Sequence, residues 1–174
     1  GASLEHPHAQ LVALPFVPPV IQSLVDGIAR YRAEHHKDPF EAILEQEHRE
    51  GVRLVHTAPH YTAFVPYFAR VPFEVWIVPH APQAHFEQVG DSERDAFADT
   101  LQHVLQRIDA VLSQPPYNFM LFTAPVNTAA EVEFRWFLRI APRLTIDAGF
   151  EIGTGVGINI TAPEDSARYL RGEG

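Results

Sequence analysis

Two histidines flank a single proline at the head of this chain, as His6-Pro7-His8, and Gln10 follows two places later. In an extended run side chains alternate between faces, so His6, His8 and Gln10 point the same way. Pro7 fixes its own φ and pushes His6 toward extended geometry, which favours that arrangement. Two imidazoles and an amide on one face suit phosphate chemistry. A neutral imidazole is a competent nucleophile near neutral pH, and an amide N–H holds a phosphoryl oxygen without adding charge. The same spacing also fits a polar N-terminal arm, or two histidines that bind an adventitious metal.

The rest of the chain must supply the elements that position such a segment. Residues 11–14 prolong the extended run, and Pro15, Pro18 and Pro19 break it. Val20, Leu24, Ile28 and Tyr31 fall on one helical face. His35 and His36 close that helix, where the dipole favours a cationic imidazole cap over a metal pair. Asp38, Pro39 and Glu41 read as the N-cap, first and third positions of a second helix that stops at Gly51. Residues 53–57, 61–67 and 73–78 are rich in β-branched and aromatic side chains and predict an antiparallel meander. His56, His60, His80 and His85 lie at strand ends or in loops and read as structural or solvated groups.

Asp91 or Ser92 caps the longest predicted helix. Its stripe of Phe97, Leu101, Val104, Leu105, Ile108 and Leu112 packs it across the sheet, and Pro115-Pro116 ends it. Residues 117–123 and 133–140 predict two more strands. In the second, Phe134, Trp136, Leu138 and Ile140 share one face, with Arg135, Phe137 and Arg139 on the other. Residues 149–160 alternate well but carry several glycines, so a strand with bulges or a close approach to a ligand is expected. Residues 163–170 form a closing helix. The fold class is α+β, an antiparallel sheet with helices packed mainly on one face.

Composition narrows the possible functions. The chain has 174 residues, is 46% hydrophobic and 20% charged, and so can bury a core as one ordinary domain. A net charge of −9 and no basic run argue against nucleic acid as a partner. No apolar stretch is long enough for a membrane helix. Cysteine is absent, which removes thiol catalysis and disulfides; a cytoplasmic home is the default expectation.

The segment from Gly1 to Gln10 resembles the active-site motif of the galactose-1-phosphate uridylyltransferase family, His-Pro-His-x-Gln preceded by Gly-Ala-Ser. Residues 64–74, Pro142-Arg143-Leu144 and residues 148–155 are similar to later stretches of the same family, in the same order. The resemblance implies a histidine-triad-like fold and nucleotidyl transfer, with UMP or AMP passing between a nucleotide-sugar and a hexose 1-phosphate. It implies that His8 is the nucleophile, that Gln10 bonds the transferred phosphoryl group and that Ser3 contacts a phosphate. It further implies that His6 is a ligand of a structural zinc, and that Phe150 and Glu151 meet the hexose across a homodimer. An ordinary surface glutamate is the other reading of Glu151.

A related phosphorylase, with inorganic phosphate as acceptor, shares His8 and Gln10, and a non-catalytic dimerisation half is a third reading. The family has two histidine-triad-like halves. Residues 1–19 are similar to the end of the first and residues 20–174 to the second, so the chain is expected to be the C-terminal portion of a longer protein. Such a portion is expected to fold but not to turn over nucleotide-sugars by itself, nor to hold stoichiometric zinc. Some family members build a second metal site with histidines where Phe122, Phe137 and Arg139 stand, and that site is expected to be absent. A lysine near the family's sugar pocket is replaced by Thr145, which puts galactose specificity in question. Arg139 fits either a phosphate contact or a salt bridge.

Overall fold

The computed structural model describes residues 8–126, 134–146 and 148–174. It begins with two helices, α1 (Pro19–His35) and α2 (Pro39–Glu50). The start of α2 is the predicted one: Pro39 opens it, and the Asp38 carboxylate accepts from Phe40 N–H at 3.1 Å. Gly51 ends it at φ 72°, in the left-handed region that glycine enters without penalty.

A five-stranded antiparallel sheet follows, made of β1 (Leu54–Thr57), β2 (Tyr61–Phe64), β3 (Val75–Pro79), β4 (Tyr117–Phe122) and β5 (Phe137–Pro142). Its order is β1-β2-β3-β5-β4, so the chain leaves the meander after β3 and returns by a long helix. That helix is α3 (Asp91–Leu112); α4 (Gly149–Thr154) and α5 (Pro163–Arg171) end the chain. The first residue of α3 is Asp91 and its N-cap is Gly90, so neither predicted side chain caps it; Glu93 reaches back to Gly90 N–H instead.

Alternation along the strands divides the core between the two faces. Ala63, Val75, Ile77, Leu138 and Ile140 point toward α3 and α5, where Val104, Ile108 and Leu170 meet them. The apolar stripe of α3 packs across the sheet here, as the sequence predicts. Phe64, Trp76, Val78 and Phe137 point the other way, where Ile28 of α1 and Phe40 and Leu44 of α2 cover them. Tyr61 ties β2 to α3 by donating to the Glu93 carbonyl at 3.0 Å, and burial pushes its phenol up to about 12.

Two local expectations fail. Phe134 was expected to share a face with Trp136, but it packs with Phe137 on the α1–α2 side while Trp136 packs on the α3 side. Strand pairing begins only at Phe137, so residues 134–136 lack the pleat that the alternation assumed. Residues 149–160 contain no strand. Gly149–Thr154 winds into α4, with the Glu151 carboxylate accepting from Ala148 N–H at 3.1 Å, and the stretch beyond runs without regular structure. Alternating apolar residues do not make a strand where no neighbouring strand offers its hydrogen bonds.

Candidate functional site

His8 and Gln10 lie in an exposed segment without regular secondary structure, ahead of the prolines that introduce α1. Ser3 and His6 lie outside the described residues. Phe150 is exposed and Glu151 half-buried, both on α4. The sequence pairing of Phe150 and Glu151 is therefore a helical one, and one carboxylate oxygen of Glu151 is engaged in capping its own helix. Among the described residues no hydrogen bond or ring contact joins Gln10 to either of them.

Helix α4 has no buried residue, so packing does not hold it in place. It is fastened instead to the β2–β3 loop. Arg70 Nη2 donates to the Gly155 carbonyl at 2.6 Å, and Asn159 Nδ2 donates to the Ala69 carbonyl at 3.2 Å. A Cβ on Gly157 would stand 2.9 Å from the Arg70 carbonyl oxygen, closer than real side chains come. The close approach expected in this glycine-rich stretch therefore occurs, with the protein's own backbone as the neighbour. The loop is itself fixed from beneath: the buried Glu74 carboxylate accepts from Arg70 N–H at 3.1 Å, Trp76 Nε1 at 2.9 Å and Arg139 Nη2 at 2.8 Å.

That last contact makes Arg139 one partner of an ion pair. The neighbouring positions are also committed. Phe137 stacks on Phe122 with ring centroids 4.6 Å apart, and on Trp76 at 4.4 Å. Phe122 and Phe137 are thus engaged in an aromatic stack, and Arg139 in an ion pair. Among the described residues no three of His, Cys, Asp and Glu come together to hold a metal ion.

A cavity of about 1190 Å³ opens between α1, α2 and the end of β3, lined by Arg32, Lys37, Asp38, His48, His80 and Arg135 among others. Arg135 is buried and donates to the Pro79 and His80 carbonyls and to Asp38, stapling the head of α2 to β3. His80 Nδ1 lies 3.1 Å from the Pro59 carbonyl, which can only accept, so that nitrogen carries the proton. His80 Nε2 then accepts from the Thr62 hydroxyl (2.9 Å), and Thr62 accepts from His48 Nε2–H (2.8 Å). Burial pulls the His80 imidazole below its ordinary value; the Pro59 bond opposes this, and His48, His60 and Arg135 reinforce it. Sequence reading took His80 as structural, which agrees with these bonds. It had no means of finding the relay, because His48, Thr62 and His80 lie far apart in the chain, on α2, on β2 and just past the end of β3.

Comparison with known proteins covers nearly the whole chain. Residues 25–152 match the family model described as galactose-1-phosphate uridyl transferase, C-terminal domain. An ADP-glucose phosphorylase of Arabidopsis thaliana is 38% identical over 98% of this chain and 48% of its own length. A galactose-1-phosphate uridylyltransferase of Thermotoga maritima is 36% identical over 98% of this chain and 56% of its own. The chain thus spans about half the length of the curated relatives it matches. A crystal structure of an Arabidopsis ADP-glucose phosphorylase with bound ADP-glucose superimposes with a TM-score of 0.81 at 36% identity, covering 91% of this chain and 50% of that one. A Hit-like protein of Bartonella henselae, 15% identical with a TM-score of 0.52 over 70% of this chain and 85% of that one, shares the fold.

Proposed function

The chain belongs to the galactose-1-phosphate uridylyltransferase family, and on that premise we propose that the protein it belongs to transfers a nucleotidyl group through a covalent intermediate on His8. An imidazole nitrogen of His8 attacks the α-phosphorus of a nucleotide-sugar, a nitrogen–phosphorus bond forms, and the bond to the departing sugar 1-phosphate breaks. An acceptor oxygen then attacks the same phosphorus and frees the imidazole. Gln10 bonds the transferred phosphoryl group, Ser3 contacts a phosphate, and Phe150 and Glu151 meet the hexose. The observation that carries this reading is His6-Pro7-His8-x-Gln10 standing in a chain whose relatives at 36–38% identity bear the names of such enzymes.

Two acceptors fit. A hexose 1-phosphate makes the enzyme a uridylyltransferase of galactose metabolism. Inorganic phosphate makes it an ADP-glucose phosphorylase, and the 38% identity to the Arabidopsis enzyme favours that second reading. The test is to incubate the full-length protein with UDP-glucose or ADP-glucose and look for an acid-labile, base-stable adduct. Adduct on His8, lost in His8→Ala, supports the reading; adduct elsewhere, or none with either donor, refutes it. Chasing the adduct with phosphate or galactose 1-phosphate separates the two acceptors.

The protein acts as a cytoplasmic homodimer in this reading. Ile146, Ile152, Val156, Ile158 and Ile160 are exposed around α4, an apolar surface that a second copy would cover. Sedimentation equilibrium of Ile152→Asp against wild type tests it: a monomer for the variant supports the dimer surface, an unchanged mass refutes it. His6 would give a structural zinc one ligand, with the remaining ligands supplied from outside this chain. No helix among the described residues is long and apolar enough to cross a membrane.

A further inference from the structure

We propose that Arg70 is a positioning residue for the sugar subsite: it sets the place of α4, and so of Phe150 and Glu151, relative to the bound nucleotide-sugar. The inference rests on the function proposed above and adds to it a residue outside the motif segments that contact substrate. A six-residue helix with no buried side chain has almost no burial energy to fix it. Within its own subunit its location is therefore set by the hydrogen bonds at its ends, and a partner covering its apolar side would meet a helix already placed by them.

The N-terminal end is capped internally by Glu151, which shapes the helix but does not anchor it to the fold. The C-terminal end is where the fold takes hold. Gly155, at φ 71°, turns its carbonyl to the Arg70 guanidinium, and two residues later Gly157 lies against the Arg70 backbone. Asn159 then secures the chain twice, donating to Ala69 and accepting from Thr161 N–H at 3.0 Å. Arg70 bonds the residue that caps α4, whereas Gly157 and Asn159 act on the segment farther on.

Arg70 is in turn rigidly placed. Its backbone N–H is bonded to Glu74, which is 1% exposed and also holds Trp76 and Arg139. A connected path therefore runs from the buried carboxylate on the sheet, through the Arg70 backbone and guanidinium, to the carbonyl that ends α4. Hydrogen bonds from a charged donor are stronger than neutral ones. A displacement of about 1 Å at a substrate-positioning element is enough to weaken binding and rate.

The experiment uses the full-length protein. It compares the KM for the nucleotide-sugar with the inhibition constant of the bare nucleoside diphosphate, which has no hexose to meet α4. Arg70→Ala is expected to raise the nucleotide-sugar KM about tenfold, the loss of one charge-assisted hydrogen bond, while the nucleoside diphosphate constant stays within about twofold. Arg70→Lys should recover most of the loss, since an ammonium can still donate to Gly155. Gly157→Ala, which forces the strap away from Arg70, should shift the same constant in the same direction and covers the case in which Arg70→Ala does not fold. An unchanged nucleotide-sugar KM in Arg70→Ala, or an equal loss for the bare nucleoside diphosphate, overturns the inference while the functional reading stands. Wild-type protein that neither turns over nor binds nucleotide-sugar overturns the functional reading and this inference with it.

Discussion

Arg139 Nη2 donates to Glu74 Oε2 at 2.8 Å, in a pair whose carboxylate also accepts from Trp76 and from the backbone of Arg70. One acidic side chain therefore joins β3, β5 and the loop that reaches α4. Three donors meet this buried carboxylate, and removing it leaves Arg139, Trp76 and a backbone N–H without that partner.

Glu74→Ala is accordingly expected to cost about 3–5 kcal/mol of unfolding free energy, by the rule for breaking a buried ion pair. Denaturant titration checks this. A loss no larger than that of an exposed glutamate would show that solvent takes over the three donors.

The Arg53 network yields a second expectation. Its Nε grips both oxygens of Glu47 (3.0 and 3.1 Å), Nη2 meets Glu50 at 2.8 Å and Nη1 meets Glu164 of α5 at 3.0 Å. Burial raises the Glu47 carboxyl, although Arg53 opposes it by hydrogen bond and charge. Arg53→Met is expected to cost about 3–5 kcal/mol, because Glu47 stays buried without its cation. Arg53→Met with Glu47→Leu should recover much of that loss. The double-mutant cycle measures both, and additive losses would count against the coupling.

Acid should weaken the fold through two histidines. Burial lowers the His56 imidazole, helped by His103, on which it stacks with centroids 4.2 Å apart; burial likewise lowers His80. With folded values below the ordinary 6.5, the native state binds fewer protons than the unfolded one in that range. Their contribution is fully present above pH 6.5 and is lost as pH falls through the folded values. Tm measured from about pH 7.5 down to about pH 5 should fall more steeply in wild type than in His56→Gln or His80→Gln. Parallel curves would refute this.

The aromatic stack carries a fourth expectation. Phe137 is buried between Phe122 and Trp76 and also touches the ring of Phe40 at 5.5 Å. Phe137→Ala should lose about 3–5 kcal/mol, while Phe137→Leu should lose less because it refills most of the volume. Equal losses would show that ring stacking, rather than volume, holds this face.

Much of the fold was legible because it is written in short-range signals. Asp38-Pro39 and Gly51 bound α2 through capping chemistry that a few adjacent residues decide, and the stripe from Phe97 to Leu112 marks α3 by its period alone. The family, too, was legible, since His6-Pro7-His8-x-Gln10 and the later matched stretches lie within contiguous residues. Other features depend on partners distant in sequence. Residues 149–160 alternate like a strand, yet α4 forms there because no strand adjoins it; Phe134 and Trp136 separate because pairing starts at Phe137. The hydrogen bonds of Arg70 with Gly155, Glu74 with Arg139 and His48 with His80 through Thr62 close loops of many residues. Spacing along the chain carries no record of such closures, because they arise only when the packed sheet brings its neighbours within a hydrogen bond's reach.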